Sequence, residues 1–282
     1  MTHPGDPSVT AAEHTAAQAG DRRFATTLAR GLAVLRAFRT SDDGLTAAEI
    51  ARRTGLPKPT VSRLVYTLVQ LGYLSQPGQG ERLRPGPSLL AVGHVAQASL
   101  SFLSLADAPM QALADRSGTL VFLGVRDRDK MLLAQTWRPQ GTASIWLEPG
   151  HRVPLAGAAT GQAMLAAMDD AMLARVVADQ PPGGLTLAGA QALRAQARAQ
   201  CVSRGFVIPP AAQRNYDRIN ALAVPFRSSQ IAEPVAFSCG ATPDILPDAR
   251  MLEQVGPDLL ATVQGLERMT GQVRTLSRLD MD

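Results

Sequence analysis

Residues 45–74, LTAAEIARRTGLPKPTVSRLVYTLVQLGYL, leave this chain few ways to fold. Their spacing predicts two short helices joined by a tight turn, then the start of a strand. Thr46 with Glu49 three residues on has the form of a capping box. Ala47, Ile50 and Ala51 then give the i, i+3, i+4 spacing of a helix with one buried face. Gly55 falls where a left-handed helix end favours a residue without a Cβ. Leu56 and Pro57 complete the turn, and Pro59 suits the opening of the next helix. There Val61, Leu64, Val65, Leu68 and Val69 share one side at 100° per residue. Thr60, Ser62, Arg63, Tyr66, Thr67 and Gln70 take the other. This polar face carries no carboxylate. Such a face can enter the major groove of duplex DNA with its N-terminal residues nearest the bases. A plain solvated face would alternate in the same way, so the flanks have to decide.

Upstream, residues 24–39 predict a helix with Leu28, Leu32, Leu35 and Phe38 as its apolar stripe, ended by Ser41-Asp42-Asp43-Gly44. It supplies the third helix that a helix-turn-helix needs to close a core. Downstream, Tyr73-Leu74-Ser75 reads as extended, residues 76–80 as a flexible tip, and Glu81-Arg82-Leu83-Arg84 as the returning strand. A hairpin of this kind, with two arginines on its second strand, is a wing that lies along the DNA backbone or dips into the minor groove. Its alternative is a surface hairpin with incidental arginines. Charge separates the two. Residues 1–86 hold 11 Lys+Arg against 7 Asp+Glu, whereas residues 87–282 hold 17 against 17. The whole net charge of +4 therefore lies with the helix-turn-helix, as binding to a polyanion requires.

A chain of 282 residues with 45% hydrophobic content accommodates two domains with real cores. Residues 1–22 predict a disordered arm. Residues 23–86 form the winged helix and residues 87–100 a linker helix with Leu89, Val92, Val95 and Ala96 on one stripe. Residues 101–282 form an α/β domain. In it helices are expected at 105–117, 158–168, 170–178, 188–203 and 247–276. Strands are expected at 119–125, 131–137, 142–147, 205–208, 219–226 and 235–239, in an antiparallel or mixed sheet. The fold class is α+β. Cys201 and Cys239 make neither a disulfide framework nor a zinc site and are expected reduced and packed. Trp137 and Trp146 either line a ligand pocket or fill the core, and the core is the expectation because buried aromatics mostly pack. No apolar run approaches the roughly 20 residues of a membrane span, and no signal pattern opens the chain, so a cytoplasmic protein without a membrane partner is expected. There is no Walker loop, dinucleotide fingerprint or metal-ligand cluster. His3 and His14 lie in the arm; His94 and His151 lie outside any nucleophile motif. Neither enzyme activity nor a cofactor is expected.

Several ordered segments carry a resemblance: Arg30-Gly31-Leu32-Ala33-Val34-Leu35, residues 45–74, Arg82-Leu83-Arg84-Pro85-Gly86-Pro87, Pro154-Leu155 with Ala159-Thr160-Gly161-Gln162-Ala163, Arg204-Gly205-Phe206, and residues 219–225. Over about residues 24–275 the chain resembles the isocitrate-lyase-regulator (IclR) family of bacterial transcription factors. The resemblance implies an N-terminal winged helix-turn-helix, a dimerising linker helix and a C-terminal GAF-like α/β effector-binding domain. It implies operator DNA as partner, a homodimer or dimer of dimers, and control by a small-molecule effector, a carboxylate or aromatic catabolite. Residues 220–225 look closest to members that control aromatic-acid breakdown. Carried over residue by residue, the DNA contacts are Lys58, Pro59, Thr60, Ser62, Arg63 and Tyr66, with Arg82 and Arg84 on the wing. The effector contacts are Ile145, Val153, Ala159, Thr160, Ile219, Ala221, Phe237 and Cys239. Two departures stand out. Pro209-Pro210 replace an aspartate common after the strand at 205–208, and Phe237 and Cys239 stand where a Ser-x-Ser pair is common. Fewer polar contacts imply a larger or more apolar effector. Arg214, Asn215 and Arg218 could meet a carboxylate instead, although surface arginines are the ordinary account. A ligand sensor whose winged helix docks protein rather than DNA is the competing reading, and the charge asymmetry argues against it.

Overall fold

The computed structural model describes residues 23–78, 80–214, 218–272 and 275. The expected arm at 1–22 and Asn215 lie outside these residues. The chain divides into two compact units, with the boundary between Ala98 and Ser99.

In the first unit, α1 (Thr26–Arg36), α2 (Ala47–Thr54) and α3 (Lys58–Gln70) precede a two-stranded antiparallel sheet, β1 (Leu74–Ser75) and β2 (Arg84–Pro85). An isolated bridge, Leu45 to Leu83, ties the second arm of the wing to the entry of α2. The capping box forms as expected: the Glu49 N–H donates to Thr46 Oγ1 at 3.2 Å and the Thr46 N–H to Glu49 Oε2 at 2.8 Å. Gly55 closes α2 at φ 67°, a left-handed conformation that a Cβ disfavours. The core joins Val34, Leu45, Ile50, Val61, Val65, Leu74 and Leu83. Two stripes differ from expectation. Ala47 is exposed, and α2 buries Ile50, Ala51 and Thr54 instead. In α1, Leu28 and Leu32 are 63% and 50% exposed while Ala33 and Val34 are buried. Leu35 and Phe38, the other half of the expected stripe, do pack against the core, so the buried side of α1 is turned towards Ala33 and Val34. α4 (Pro87–Ala98) follows and buries none of its residues.

The second unit is a five-stranded antiparallel sheet in the order β5-β4-β3-β7-β6: β3 (Leu120–Asp127), β4 (Lys130–Trp137), β5 (Arg152–Pro154), β6 (Asn220–Phe226) and β7 (Val235–Ala241). The strand expected at 142–147 is irregular chain, and 205–208 contributes only a bridge from Val207 to Ala223. One face carries α5 (Ser101–Ser117) and the C-terminal helical run. That run begins as α9 (Asp248–Arg250), passes through a π-helical turn at Met251–Val255 and continues as α10 (Gly256–Met269). It ends at Met269, short of the expected 276, with Gly271 at φ 66° beyond it. The other face carries α6 (Ala159–Ala166), α7 (Asp170–Ala178) and α8 (Leu187–Arg204). Strand alternation separates the two cores: Val121 and Leu123 enter the first, Leu120 and Phe122 the second. Among the described residues no single helix is long and apolar enough to cross a membrane.

Candidate nucleic-acid interface and ligand cavity

α3 presents the face that the sequence predicts. Val61 and Val65 are buried, while Lys58, Pro59, Ser62, Arg63 and Tyr66 are exposed and Thr60 is half-buried at the edge. Tyr66 stands out at 68% exposure, which for so large an aromatic signals a contact surface more than a packing role. No ion pair among the described residues engages Lys58 or Arg63. The helix begins without a side-chain cap, so the first-turn N–H groups of Lys58 and Thr60 have no side-chain acceptor.

The wing arginines are placed differently. Arg82 Nε donates to the carbonyls of Asp43 and Gly44 at 2.9 and 3.1 Å, and its Nη2 to Glu49 Oε2 at 2.9 Å. Glu49 is already the acid of the capping box. The Thr46 backbone N–H, then its hydroxyl and Arg82, pull the Glu49 carboxyl from 4.5 down to about 2. Arg82 is thus a brace between wing and α2, and only part of its fork faces outward. Arg84 pairs with Asp43 at 2.6 Å, half-exposed on a well-solvated partner, and such a pair opens easily. Arg53, by contrast, is structural: it donates to the Ala37 carbonyl at 2.8 Å and to Asp42 at 2.5 Å, tying the end of α1 to α2.

In the second unit a cavity of about 50 Å³ opens beneath the start of α6. Its wall includes Val153, Ala159, Thr160, Ile219 and Ala221, five of the expected effector residues. Phe122, Leu147, Gly157, Ala158, Pro209 and Arg214 join them. Ile145 packs with the same core just outside this wall. Phe237 and Cys239 are corrections. Both are buried in the core on the α5 and α10 face, with Phe237 edge-on to Phe226 at 5.5 Å. Side chains alternate along a strand, and the odd-numbered residues of β7, Val235, Phe237, Cys239 and Ala241, all enter that core. The residues of β7 turned towards α6 are its even-numbered ones, Ala236 among them. Ser238 is therefore on that side, wholly buried, with no hydrogen-bond partner for its Oγ among the described residues. Burial pushes both cysteine thiols up to about 12, as expected for packed, unreactive groups.

Two glycines shape the site. A Cβ on Gly161 would lie 1.9 Å from the Leu155 carbonyl, so α6 can start here only with glycine at that position. A Cβ on Gly124 would meet Thr160 Cγ2 at 2.8 Å, so Thr160 sits in the hollow this glycine leaves. Thr160 is 1% exposed and its Oγ1 also lacks a partner among the described residues. Of the tryptophans, Trp137 fills the core and donates from Nε1 to Asp107 at 3.0 Å. Trp146 does not: it is 75% exposed, stacked under the Arg138 guanidinium at 3.7 Å. Arg218 is exposed with φ 56°, and Arg214, which could pass for a surface residue, stands on the cavity wall.

Comparison with known proteins bears on both surfaces. Residues 27–78 match the model of the IclR helix-turn-helix domain, and residues 94–267 that of the bacterial transcriptional regulator IclR C-terminal domain. The chain is similar to the HTH-type transcriptional regulator TsaQ1/TsaQ2 of Comamonas testosteroni, 37% identical over 49% of this chain and 50% of that one. It is similar to the Pca regulon regulatory protein of Pseudomonas putida, 34% identical over 55% and 53%. These matches span about half the length of either relative. Among solved structures, an IclR family transcriptional regulator from Brucella abortus is 31% identical, with a TM-score of 0.71 over 95% of this chain and 99% of that one.

Proposed function

The chain belongs to the IclR family of bacterial transcriptional regulators, and from that premise we propose that it binds operator DNA through α3 under control of a small molecule held beneath α6. The observation that carries the reading is the exposed, acid-free face of α3 from Lys58 to Tyr66, set in the part of the chain that holds the entire charge excess. Arg63 reads a base edge or clamps a phosphate, Lys58 contacts phosphate, and Ser62, Thr60 and Tyr66 complete the face. Pro59 shapes the helix start. Arg84 reaches the backbone from the wing, releasing the exposed Asp43; Arg82 sets the wing's position and offers the remainder of its fork.

The working division is 23–86 for DNA, 87–100 for the linker and 101–282 for the effector, in a protein that acts where the chromosome is. Leu90, Val92 and Val95 on α4 are exposed apolar residues on a helix that buries nothing in the single chain. A second copy covers them, giving a dimer whose two α3 helices meet half-sites about one helical turn apart, or a multiple of that. The cavity lining is carbon-rich, which supports an effector with an apolar body. A cavity of about 150 Å³ admits a benzene-sized guest, so an aromatic effector either extends out of the 50 Å³ cavity or widens it. Either displaces the start of α6 or its neighbours, and that displacement is what DNA binding senses.

Fluorescence anisotropy with the duplex flanking the coding region tests this reading. Nanomolar binding that weakens steeply with salt supports it. Indifference to that duplex at low salt, with and without small aromatic acids, defeats it.

A further inference from the structure

Among the described residues that line the cavity, Arg214 is the one that carries a charge. Its guanidinium is held on two sides by neutral acceptors: Nε donates to the Pro209 carbonyl at 2.8 Å and Nη1 to Asn220 Oδ1 at 3.2 Å. Asn220 is buried at the start of β6 and is itself fixed, donating from Nδ2 to the Leu246 carbonyl at 2.9 Å. The remaining edge of the fork faces Asp248, with Nη1 at 2.6 Å from Oδ1 and Nη2 at 3.2 Å from Oδ2. The two residues differ in environment. The Arg214 side chain is 14% exposed and that of Asp248 is 61% exposed.

We propose that Arg214 recognises the carboxylate of the effector and that Asp248 occupies the guanidinium until the effector arrives, so that binding exchanges one carboxylate for another. This rests on the reading of the cavity as the effector site. Three features support the exchange. Arg214 keeps its place without Asp248, because Pro209 and Asn220 orient it. Asp248 leaves cheaply, because water takes over the hydrogen bonds of so exposed a carboxylate. The pairing is nonetheless close, in two-point contact at 2.6 and 3.2 Å, and the Arg214 hydrogen bond holds the Asp248 carboxyl below its usual range. A planar fork prefers a carboxylate in two-point contact, and a ligand carboxylate inside the cavity is shielded as Asp248 is not.

The start of α6, which lines the same cavity, supplies the rest of an anion site. α6 begins at Ala159, and its N-cap residue Ala158 supplies no side-chain cap, so the first-turn N–H groups have no side-chain acceptor. The buried Thr160 hydroxyl, unpartnered among the described residues, belongs to that turn. Phe122, Val153 and Ile219 offer carbon to the body of the ligand. The class is a monocarboxylic acid with an aromatic or alkyl body. Asp248 is also the first residue of the helical run that packs beside α5, so the exchange releases an anchor on a second element of the same unit.

Titration calorimetry of the full chain with benzoate and its neutral isostere benzamide tests the exchange. The wild type should bind benzoate at least tenfold more tightly than benzamide. Asp248→Asn, a surface change, should tighten benzoate by about fivefold and leave benzamide unchanged. Arg214→Gln should weaken benzoate at least tenfold with benzamide unchanged. If Arg214→Gln fails to fold, Asp248→Asn alone decides. Equal affinity for acid and amide, or no gain in Asp248→Asn, refutes the exchange while the effector reading stands. Binding of neither compound removes both.

Discussion

Arg63 shows how much one side chain on this surface can carry. It is exposed, unpaired by any carboxylate among the described residues, and one turn into an acid-free helix. Arg63→Ala is expected to cost roughly 1–3 kcal/mol at the operator if it reads guanine, and less, with a lowered salt slope, if it clamps phosphate. Anisotropy on operator and mutated operator distinguishes the two. Glu49 carries a pH dependence. Its carboxyl is held near 2 instead of 4.5, first by the Thr46 backbone N–H, then by the Thr46 hydroxyl and Arg82. The folded value lies below the unfolded one, so its stabilisation is complete above about pH 4.5 and disappears as the pH falls towards 2. Thermal unfolding of the wild type between pH 6 and 3 should therefore fall more steeply than that of Glu49→Gln. Parallel curves would show that the capping box and its Arg82 brace do not act in the folded state.

At the scale of elements, legibility followed how local each cause was. The capping box, the left-handed Gly55 and the two sides of α3 depend on neighbours within a turn, and they stand where the spacing put them. α1 did so only in part, because its buried face is set by contact with the rest of the core and not by its own spacing. Of the stripe Leu28, Leu32, Leu35 and Phe38, the last two pack against the core, while Leu28 and Leu32 are exposed and Ala33 and Val34 are buried. β7 failed for a related reason: nothing within VAFSCGA says which set of alternating residues meets which helical layer. α6 depends on a contact outside itself. Gly161→Ala would drive a Cβ into the Leu155 carbonyl, and backbone yields poorly. We expect about 3 kcal/mol of destabilisation of the second unit, read by urea unfolding, and loss of ligand binding with DNA binding retained at low salt. α4 makes the reverse case, an apolar helix with no partner in its own chain. Leu90→Glu with Val95→Glu should give monomers by light scattering and a large loss of operator affinity. Dimers in the double variant would rule α4 out as the joining surface.

For the whole molecule, electrostatics and composition say more than any single motif. A head with a charge of +4 and a neutral body predict that association with duplex slows and weakens with salt. A plot of log affinity against log salt should be linear with a slope set by the number of phosphates contacted. A flat plot would favour a protein partner for the wing. The sequence by itself determined the two-part organisation, the helix-turn-helix with its caps, the exposed, acid-free side of α3 and the placing of charge. All of these follow from periodicity and from interactions within a few residues. Only the tertiary structure decided that Arg82 is turned inward to Glu49, that Trp146 lies outside and Trp137 inside, that Phe237 and Cys239 face away from the cavity, and that Arg214 stands on its wall against Asp248. Those outcomes depend on which surfaces meet across dozens of residues, and a strand or a long arginine can turn either way until the partner surface arrives.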